Sequence, residues 1–410
     1  MRRKALPALL LATACSLFTE NGGAPPLLTT LPRSLTASES LLVSASNEFG
    51  FALFRQVRAA PADANVFLSP TSAAMALGMT LNGAAGLTLD SMRVALGLGI
   101  ASLADINASY RSLIDLLRGL DPNSEFAIAN SIWAQSGFPW KPTFLDAART
   151  SFDAEVQSLD LQNPASLGVI NDWVNQKTNG KIPTILDNIA QDEVMFLINA
   201  IYFKGAWRKA FDPDHTSPGT FQSVSGSQTV SMMSLGSDND VRFAETAEAQ
   251  VAELLYGNGA FAMTLVLPQP GGSLGDLAAG LDAAKWAQWV GGLHEVKIGL
   301  AMPKLRLEYK RELKDDLSAL GMRRAFDPNL ADFGAIAELG QIGNLFLTRV
   351  TQKTFVDVNE EGTEAAAVTS VGVGVTSAPA VFLVNRPFLF AIRERLTGTV
   401  LFFGQITRVP

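Results

Sequence analysis

The sequence has few of the thiol and imidazole side chains from which disulfides, metal sites and catalytic triads are built. Its 410 residues include one cysteine, so no disulfide can form within the chain. The two histidines, His215 and His294, lie 79 positions apart, which excludes the close pair of a helical zinc motif. Neither histidine accompanies a Gly-x-Ser-x-Gly motif. We therefore expect no metal site, no cofactor and no hydrolase activity.

Charged residues are also scarce, and the net charge is negative, which is unfavourable for binding nucleic acid. Charged residues make up 17% of the chain, and 32 Lys and Arg against 39 Asp and Glu give a net charge of -7. An average soluble domain has about 25% charged residues. Nucleic acid is disfavoured as a partner, because neutralising phosphates requires a basic face.

The N-terminus has the pattern of an export signal. A basic start precedes the apolar run Ala5–Ala14, which is too short to span a bilayer. Cys15 follows this run directly, so the segment resembles a bacterial lipoprotein signal in which residues 1–14 are removed and Cys15 carries the lipid. The match is imperfect, since Ala12 occupies the usual leucine position and Leu11 lies one step earlier. Ordinary cleavage and a chance cysteine remain open, but each interpretation that includes cleavage predicts an exported protein.

The rest of the chain divides into a short tether and one large domain. Residues 15–36 are rich in Pro, Gly, Ser and Thr, which predicts a flexible tether. No second linker or repeat follows, so 37–410 is predicted to be a single domain. Helical periodicity over 40–58, 69–83 and 171–182, with Asn171 as a cap, precedes most of the strand patterns.

This order favours an α+β protein with mostly antiparallel sheets. A hairpin is predicted around Leu396-Thr397-Gly398 near the C-terminus. The other strand-like runs are Phe126 to Gln135, Val194 to Trp207, Phe261 to Pro270, His294 to Tyr309 and Thr354 to Gly362.

The most informative segment is an uncharged run of twenty residues, Ala365 to Val384. It is too often interrupted by Gly, Ser, Thr and Pro for a membrane span, and much longer than a typical core strand. A small-residue linker is a further alternative. Yet alternate positions carry small and then β-branched side chains that suit the buried face of a strand; they are Thr363, Ala365, Ala367, Thr369, Val371, Val373 and Val375. The flanking sequences are typical of an exposed loop, so the segment suits two different locations.

Four motifs identify the family that the chain resembles. The acidic and small-residue sequence EEGTEAAAVT (Glu360 to Thr369) is accompanied by FLSPTSAAMAL, NAIYFKGAW (Asn199 to Trp207) and NRPFLFAIRERLTGTVLFFGQI. In their order along the chain, which places the acidic and small-residue sequence third, and over roughly Ser40 to Pro410, they resemble the serpins.

The resemblance implies an α+β serpin fold, with N-terminal helices packed on large sheets and an exposed reactive loop at about 360–384. It also implies a monomeric inhibitor that captures a serine protease irreversibly and is not itself an enzyme. The protease cleaves the loop, the loop inserts into the main sheet, and the acylated protease is dragged about 50 Å by the new strand. A non-inhibitory serpin acting as a binding or chaperone module is the alternative.

The resemblance also assigns roles to single residues. The hinge that permits insertion corresponds to Glu360, Glu361, Gly362, Thr363, Glu364, Ala365, Ala366, Ala367 and Thr369. The family's spacing places the scissile bond at Thr376-Ser377, with Val375 as the alternative scissile residue. Small side chains around this bond disfavour trypsin-like and chymotrypsin-like proteases and predict an elastase-like or subtilisin-like partner.

Five further positions match the region where family members open the sheet: Ser69, Ser72, Asn199, Trp207 and Gln352. Taken singly, the polar ones suit a helix cap or a buried hydrogen bond, and Trp207 suits a core aromatic. Many serpins carry histidine at the position of Gln352, so pH sensitivity from that histidine is not expected. Heparin-type polyanions are not expected to bind either, because Arg111 and Arg118 are opposed by Asp115.

Overall fold

The computed structural model describes residues 25–59, 64–340, 343–363 and 381–410. The predicted signal peptide, Cys15 and the hinge and scissile residues from Glu364 to Ser377 lie outside this part of the chain.

The helices lie mainly in the N-terminal half, as the sequence predicts. None of them, within the described ranges, is long and apolar enough to cross a membrane. The α-helices are α1 (Ala37–Arg58), α2 (Pro70–Leu81), α3 (Gly86–Ala95), α4 (Leu103–Arg118), α5 (Pro142–Phe152), α6 (Ala165–Lys177), α7 (Leu274–Ala279), α8 (Ala283–Gly291) and α9 (Lys314–Leu317). Short 3₁₀ turns cover Pro213–His215 and Arg323–Phe326, and a π turn covers Ser318–Met322.

The strands come in chain order as β1 (Val66–Leu68), β2 (Ser124–Gln135), β3 (Ala154–Leu159), β4 (Met195–Ala206), β5 (Ser217–Ser223), β6 (Gly226–Leu235), β7 (Asp240–Glu245), β8 (Ala249–Leu255) and β9 (Phe261–Pro268). They continue as β10 (His294–Lys297), β11 (Gly299–Pro303), β12 (Leu305–Glu312), β13 (Thr351–Val358), β14 (Gly362–Thr363), β15 (Val381–Leu383), β16 (Phe388–Glu394) and β17 (Val400–Ile406).

Within the described ranges, these strands form three sheets, in which only the pairs β2–β3 and β11–β15 are parallel. The central sheet has the order β12-β13-β14-β4-β2-β3. A seven-stranded sheet has the order β1-β17-β16-β9-β8-β7-β10, and a four-stranded sheet has the order β15-β11-β6-β5. The predicted C-terminal hairpin is confirmed as β16 and β17, both fully buried in the seven-stranded sheet.

Helix α2 lies beneath the central sheet because it is apolar on nearly every side. Ser69 caps it by accepting a hydrogen bond from the backbone of Ser72, and Pro70 occupies its first turn. Eleven of its twelve residues are buried, so it packs between sheets rather than on the surface. On the other face of the central sheet, Trp173 of α6 packs edge-on against Trp133 of β2. The central sheet is therefore covered on both faces.

The predicted helix start at Asn171 is wrong. Helix α6 begins six residues earlier, at Ala165, and Asn171 lies inside it. The Asn171 side chain instead accepts hydrogen bonds from the backbones of Ile185 and Leu186, at 2.8 and 3.0 Å. An asparagine that accepts hydrogen bonds from the backbone of a neighbouring loop cannot be distinguished, from the local sequence alone, from one that caps a helix.

The single strand-like run His294 to Tyr309 divides into β10, β11 and β12, each in a different sheet. Its side-chain pattern changes at the same points. The first part is mostly exposed, the second fully buried and the third alternating. The change in side-chain polarity along the run therefore indicates where one strand ends and the next begins, whereas the two-residue periodicity alone does not.

Residues 25–36, which the sequence assigns to the tether, contact the body. The backbone of Leu28 donates to the Asn258 carbonyl at 2.8 Å, and Arg208 donates to the Pro25 carbonyl. Arg33 binds the buried carboxylate of Glu39 in the first turn of α1, with a shortest N–O distance of 2.6 Å. Flexibility of the preceding residues stays a prediction.

Candidate functional site

The site lies where the predicted hinge enters the central sheet. We call the end near Ala206 and Val358 the upper end, and the end near Met195 and Thr351 the lower end. At the upper end, β14 pairs with β13 through Thr363 and Val358, and with β4 through Gly362 and Ala206. Thr363 also lies opposite Gly205. Among the described residues, β4 and β13 pair with β14 but not with each other.

The hinge therefore begins inside the sheet rather than in an exposed loop. Glu360 and Thr363 are only 8% and 2% exposed. Gly362 has φ of +156° and lies so close to β4 that an added Cβ would come within 2.8 Å of the Ala206 Cα. It would lie closer still to the Gly205 carbonyl oxygen. Glycine is required at this position because a side chain has no room.

The Thr363 side chain is held by a hydrogen bond to Tyr256, which lies at the end of a strand of the seven-stranded sheet. Its hydroxyl lies 2.7 Å from the hydroxyl of Tyr256, which follows β8 and is fully buried. Burial raises the pKa of Tyr256 well above its usual range, although the bond to Thr363 acts in the opposite direction. The phenol therefore stays neutral and can donate or accept.

Trp207 covers the same end of the sheet. Its ring stacks on Tyr256 with centroids 4.4 Å apart, and its indole N–H donates to the Asn359 carbonyl at 2.9 Å. Its backbone N–H donates to the Glu361 carbonyl at 2.8 Å. The Asn359 side chain accepts from the backbones of Glu361 and Gly362. The turn into β14 is thus fixed by both backbone and side-chain bonds.

The acidic side chain of Glu360 is bound on the upper edge. Lys304, between β11 and β12, approaches its carboxylate to 2.7 Å, and the Thr216 hydroxyl donates to the same oxygen at 2.7 Å. Burial by itself would raise the pKa of Glu360, but the bonds from Lys304 and Thr216 lower it below its ordinary value. Glu360 is therefore a charged anchor at neutral pH.

Four of the five predicted sheet-opening residues meet beneath the lower half of the sheet. Gln352 of β13 accepts from the Ser69 backbone N–H at 3.0 Å and donates to the Ser69 carbonyl at 2.9 Å. The Ser69 hydroxyl donates to the Leu401 carbonyl at 2.6 Å, and the Ser72 hydroxyl donates to the Asn199 carbonyl at 3.4 Å. Trp207 lies apart from them, at the upper end. The opening role of all five stays a prediction.

Asn130 of β2 belongs to the same region and was missed in the sequence. Its amide N–H₂ donates to the Phe152 carbonyl, and its amide oxygen accepts from Asn199. The missed signal was an amide in the middle of the apolar run Phe126 to Gln135, whose other amide, Gln135, lies at its end. Tyr256, Thr216 and Lys304 were also missed, since each meets the hinge only through tertiary packing.

A cavity of about 120 Å³, which we call the lower cavity, adjoins this network. It lies between the start of β4, the segment 346–352 and α2. Small side chains of α2, Ala73 and Ala76, leave the space on one side, and Leu197 and Leu347 line the other. A second cavity of about 160 Å³ shares Leu197 and Leu347. The lower end of the sheet is thus loosely packed.

The far end of the loop is anchored in another sheet. Val381, Phe382 and Leu383 of β15 pair in parallel with Gly299, Leu300 and Ala301 of β11. Phe382 is buried, at 1% exposed. The predicted scissile residues Val375, Thr376 and Ser377 lie between these anchors, outside the described residues.

The two arginines of the candidate polyanion helix are engaged with acids. On α4, Arg111 contacts Asp115 at 3.0 Å and Asp153 at 3.3 Å, and Arg118 contacts Asp153 at 2.6 Å. The absence of polyanion binding stays a prediction.

Comparison with known proteins agrees with this arrangement. The family model "Serpin (serine protease inhibitor)" matches residues 44–409. Leukocyte elastase inhibitor of Xenopus tropicalis is 33% identical over 376 residues, covering 89% of this chain and 98% of that protein.

Two solved structures extend the comparison to the fold. The native state of the thermophilic serpin tengpin superposes with a TM-score of 0.81 at 29% identity, covering 94% of this chain and 97% of tengpin. Human thyroxine-binding globulin, solved in complex with thyroxine, has a TM-score of 0.82 at 26% identity, covering 91% of this chain and all of that one. The chain belongs to the serpin family of serine protease inhibitors.

Proposed function

We propose that this protein is a suicide-substrate inhibitor of serine proteases that cleave after small residues. The observation that carries the proposal is the double pairing of β14, which leaves β4 and β13 joined only through it among the described residues. A strand that continued from Thr363 would find a partner on each side. Each backbone hydrogen bond makes a net contribution of about 1 kcal/mol. A strand inserted after cleavage would form such bonds along both sides, so its insertion would release a large free energy.

The register of β14 extends the argument to particular residues. The pairs Thr363–Gly205 and Thr363–Val358 fix an antiparallel register on both sides. Continued by six residues in an inserted strand, this register puts Thr369 opposite Asn199 and Gln352. Two residues later Val371 falls opposite Leu197. Side chains of period two would then be directed towards the lower cavity.

The experiment is incubation with pancreatic elastase or subtilisin, followed by denaturing electrophoresis. We expect a boil-resistant band at the summed mass of protease and inhibitor. Sequencing the released C-terminal peptide should give Ser377 as its first residue, or Thr376 if Val375 is the scissile residue. The nicked protein should melt at a higher temperature than the intact one.

Cleavage without a covalent band and without a rise in Tm would contradict the proposal. That result would favour a non-inhibitory binding or chaperone module. A protease that requires arginine, such as trypsin, provides the specificity control, since no Lys or Arg occurs between Ala365 and Val384.

Export and lipid anchoring form a separate part of the proposal. The apolar run before Cys15 supports removal of residues 1–14 and acylation of Cys15. In a bacterial host, fatty-acid labelling of the full chain should be lost in Cys15→Ser. Labelling that persists in this variant would contradict the assignment of Cys15.

A further inference from the structure

We infer that the ion pair between Glu193 and Arg349 closes the lower end of the central sheet across the path of the inserting strand. Arg349 is therefore a positioning residue that sets how much of the cleaved protein becomes covalent complex. This role rests on the proposed function, whereas closure of the sheet by the ion pair can be measured without it.

The carboxylate of Glu193, two residues before β4, is buried and has four partners. The residue is only 5% exposed. One carboxylate oxygen accepts from the Thr348 hydroxyl at 3.1 Å and lies 2.8 Å from the Arg349 Nε atom. The other oxygen accepts from Arg349 Nη2 and from the Ala190 backbone N–H, both at 2.8 Å. Removing the cation from such a buried pair is strongly destabilising, because the carboxylate stays behind.

Arg349 lies two residues before β13 and contacts both β4 and the segment that precedes it. Its guanidinium donates to the Asn188 carbonyl at 2.7 Å and to the amide oxygen of the same residue at 3.2 Å. It also packs over Phe196 of β4, 5.3 Å from the ring centroid. Among the described residues, β4 and β13 pair with β14 but not with each other. The contacts of Arg349 therefore join the two strands at the end that β14 does not reach.

The register of β14 places the ion pair on the path of insertion. Continued by nine residues from Thr363, the antiparallel register on both sides puts Gly372 between Phe196 and Arg349. Three residues later the inserted strand passes Glu193. With two strand spacings between them, the Cα atoms of Glu193 and Arg349 would then lie about 14 Å apart. The side-on contact between the Arg349 Nε atom and the carboxylate cannot span this distance, so the pair must break before insertion is complete.

The consequence for the proposed reaction is a late barrier. After the protease is acylated, insertion of the loop competes with hydrolysis of the ester. The lower cavity leaves room for side chains of the strand, but the ion pair still joins β4 to the segment before β13. Weakening the pair should therefore speed complete insertion and increase the trapped fraction. It should also make the intact protein less stable.

The test is a double-mutant cycle with Glu193→Gln and Arg349→Met, in which methionine keeps the packing over Phe196 but not the charge. The melting temperature, in a fixed concentration of urea, is measured for the intact chain and for the chain nicked in the loop by subtilisin. In the intact chain, the double variant should lose clearly less stability than the two single losses together. In the nicked chain the two losses should simply add, because the pair is already broken.

Arg311→Met and Asp316→Asn form the matched control cycle. That pair is also bidentate, at 2.9 and 3.0 Å, and its side chains are 31% and 4% exposed. Both residues lie on one side of the insertion path, in β12 and α9, so their coupling should be the same in intact and nicked chains. If Arg349→Met does not fold, Arg349→Lys, which keeps the charge but not the two-point contact, should lower the Tm of the intact chain less.

Two results of the cycle would overturn the inference. One is the absence of coupling between Glu193 and Arg349 in the intact chain. The other is equal coupling in intact and nicked chains when nicking has stabilised the wild type.

The reaction with elastase provides a readout that a merely structural role would not move. Arg349→Met should raise the ratio of covalent complex to cleaved protein about threefold, whereas Arg311→Met should leave it unchanged. An unchanged or lower ratio in Arg349→Met would overturn the barrier role. If nicking does not stabilise the wild type and no complex forms, the proposed function fails and the barrier role with it. Coupling in the intact chain would still establish that the pair closes the sheet.

Discussion

The upper and lower ends of the central sheet differ in how completely they are filled. At the upper end, Gly362 and Thr363 pair on both sides, and Trp207, Tyr256 and Lys304 bind the hinge from around it. At the lower end, two cavities adjoin β4, and the Asn199 amide oxygen has no donor among the described residues. In the proposed mechanism, the inserting strand would therefore start from an ordered template at the upper end and proceed towards the less completely filled lower end.

Thr363→Arg should produce the largest effect on this arrangement. A guanidinium would replace a hydroxyl that is 2% exposed and bonded to Tyr256, and burying an unpaired charge is very costly. We expect cleavage by elastase to continue while the covalent complex falls at least tenfold, measured by densitometry after electrophoresis. Thr363→Ser, which keeps the hydroxyl, is the control. Undiminished complex in Thr363→Arg would disprove insertion through this position.

Gly362→Val should be next in size. The new side chain would collide with Gly205 and Ala206 of β4, and the backbone would be strained by about 1–3 kcal/mol. We expect β14 to leave the sheet, seen as faster limited proteolysis between Glu360 and Thr363. Gly168→Val is the control, because an added Cβ there meets no atom within 4 Å. Equal proteolysis in both variants would argue against β14 as a template.

Glu360→Gln tests the anchor at the upper edge and its pH dependence. The pKa of Glu360 is lowered in the folded state, so its stabilising contribution is present above the unfolded value of about 4.3 and is lost as the pH falls through the folded value. Because Lys304 is partly exposed, we expect a loss of only about 1–2 kcal/mol at pH 7.

The measurement for Glu360 is the Tm difference between wild type and Glu360→Gln from pH 7 to pH 3. The difference should shrink towards zero as the wild-type carboxylate is protonated. Glu295→Gln, on the exposed strand β10, should show no such trend. A difference that is constant with pH would exclude the charge of Glu360 as the cause.

Tyr256→Phe should have the smallest effect, about 1 kcal/mol, through loss of one buried hydrogen bond to Thr363. Tyr110→Phe is the matched control, because that buried hydroxyl donates to the Ala74 carbonyl at 2.9 Å, away from the hinge. Both variants should melt a degree or two lower. Only Tyr256→Phe should change the rate of complex formation, by about fivefold. Equal rates of complex formation in the two variants would show that the Tyr256 hydroxyl has no role in the hinge.

Some parts of the structure could be predicted from the sequence because they depend only on residues close together in the chain. Ser69 next to Pro70 is a helix start in any context, and the structure confirms it. The hairpin around Thr397 follows from two apolar runs and a turn. The prediction that Asn171 caps a helix was wrong because its hydrogen-bond partners are not local. They are Ile185 and Leu186, more than ten positions away.

The sequence by itself determined the family, helices α1 and α2, strands β2, β4, β9 and β13 with the C-terminal hairpin, and the presence of a segment suited to both loop and strand. These features depend on motifs and on the periodicity of neighbouring side chains. Only the tertiary structure decided how far the hinge enters the sheet and which groups bind it. Lys304 meets Glu360, and Tyr256 meets Thr363, across long stretches of chain. The lower cavity likewise exists only where α2, β4 and the segment 346–352 converge. Such contacts depend on packing between distant elements, which no local pattern encodes.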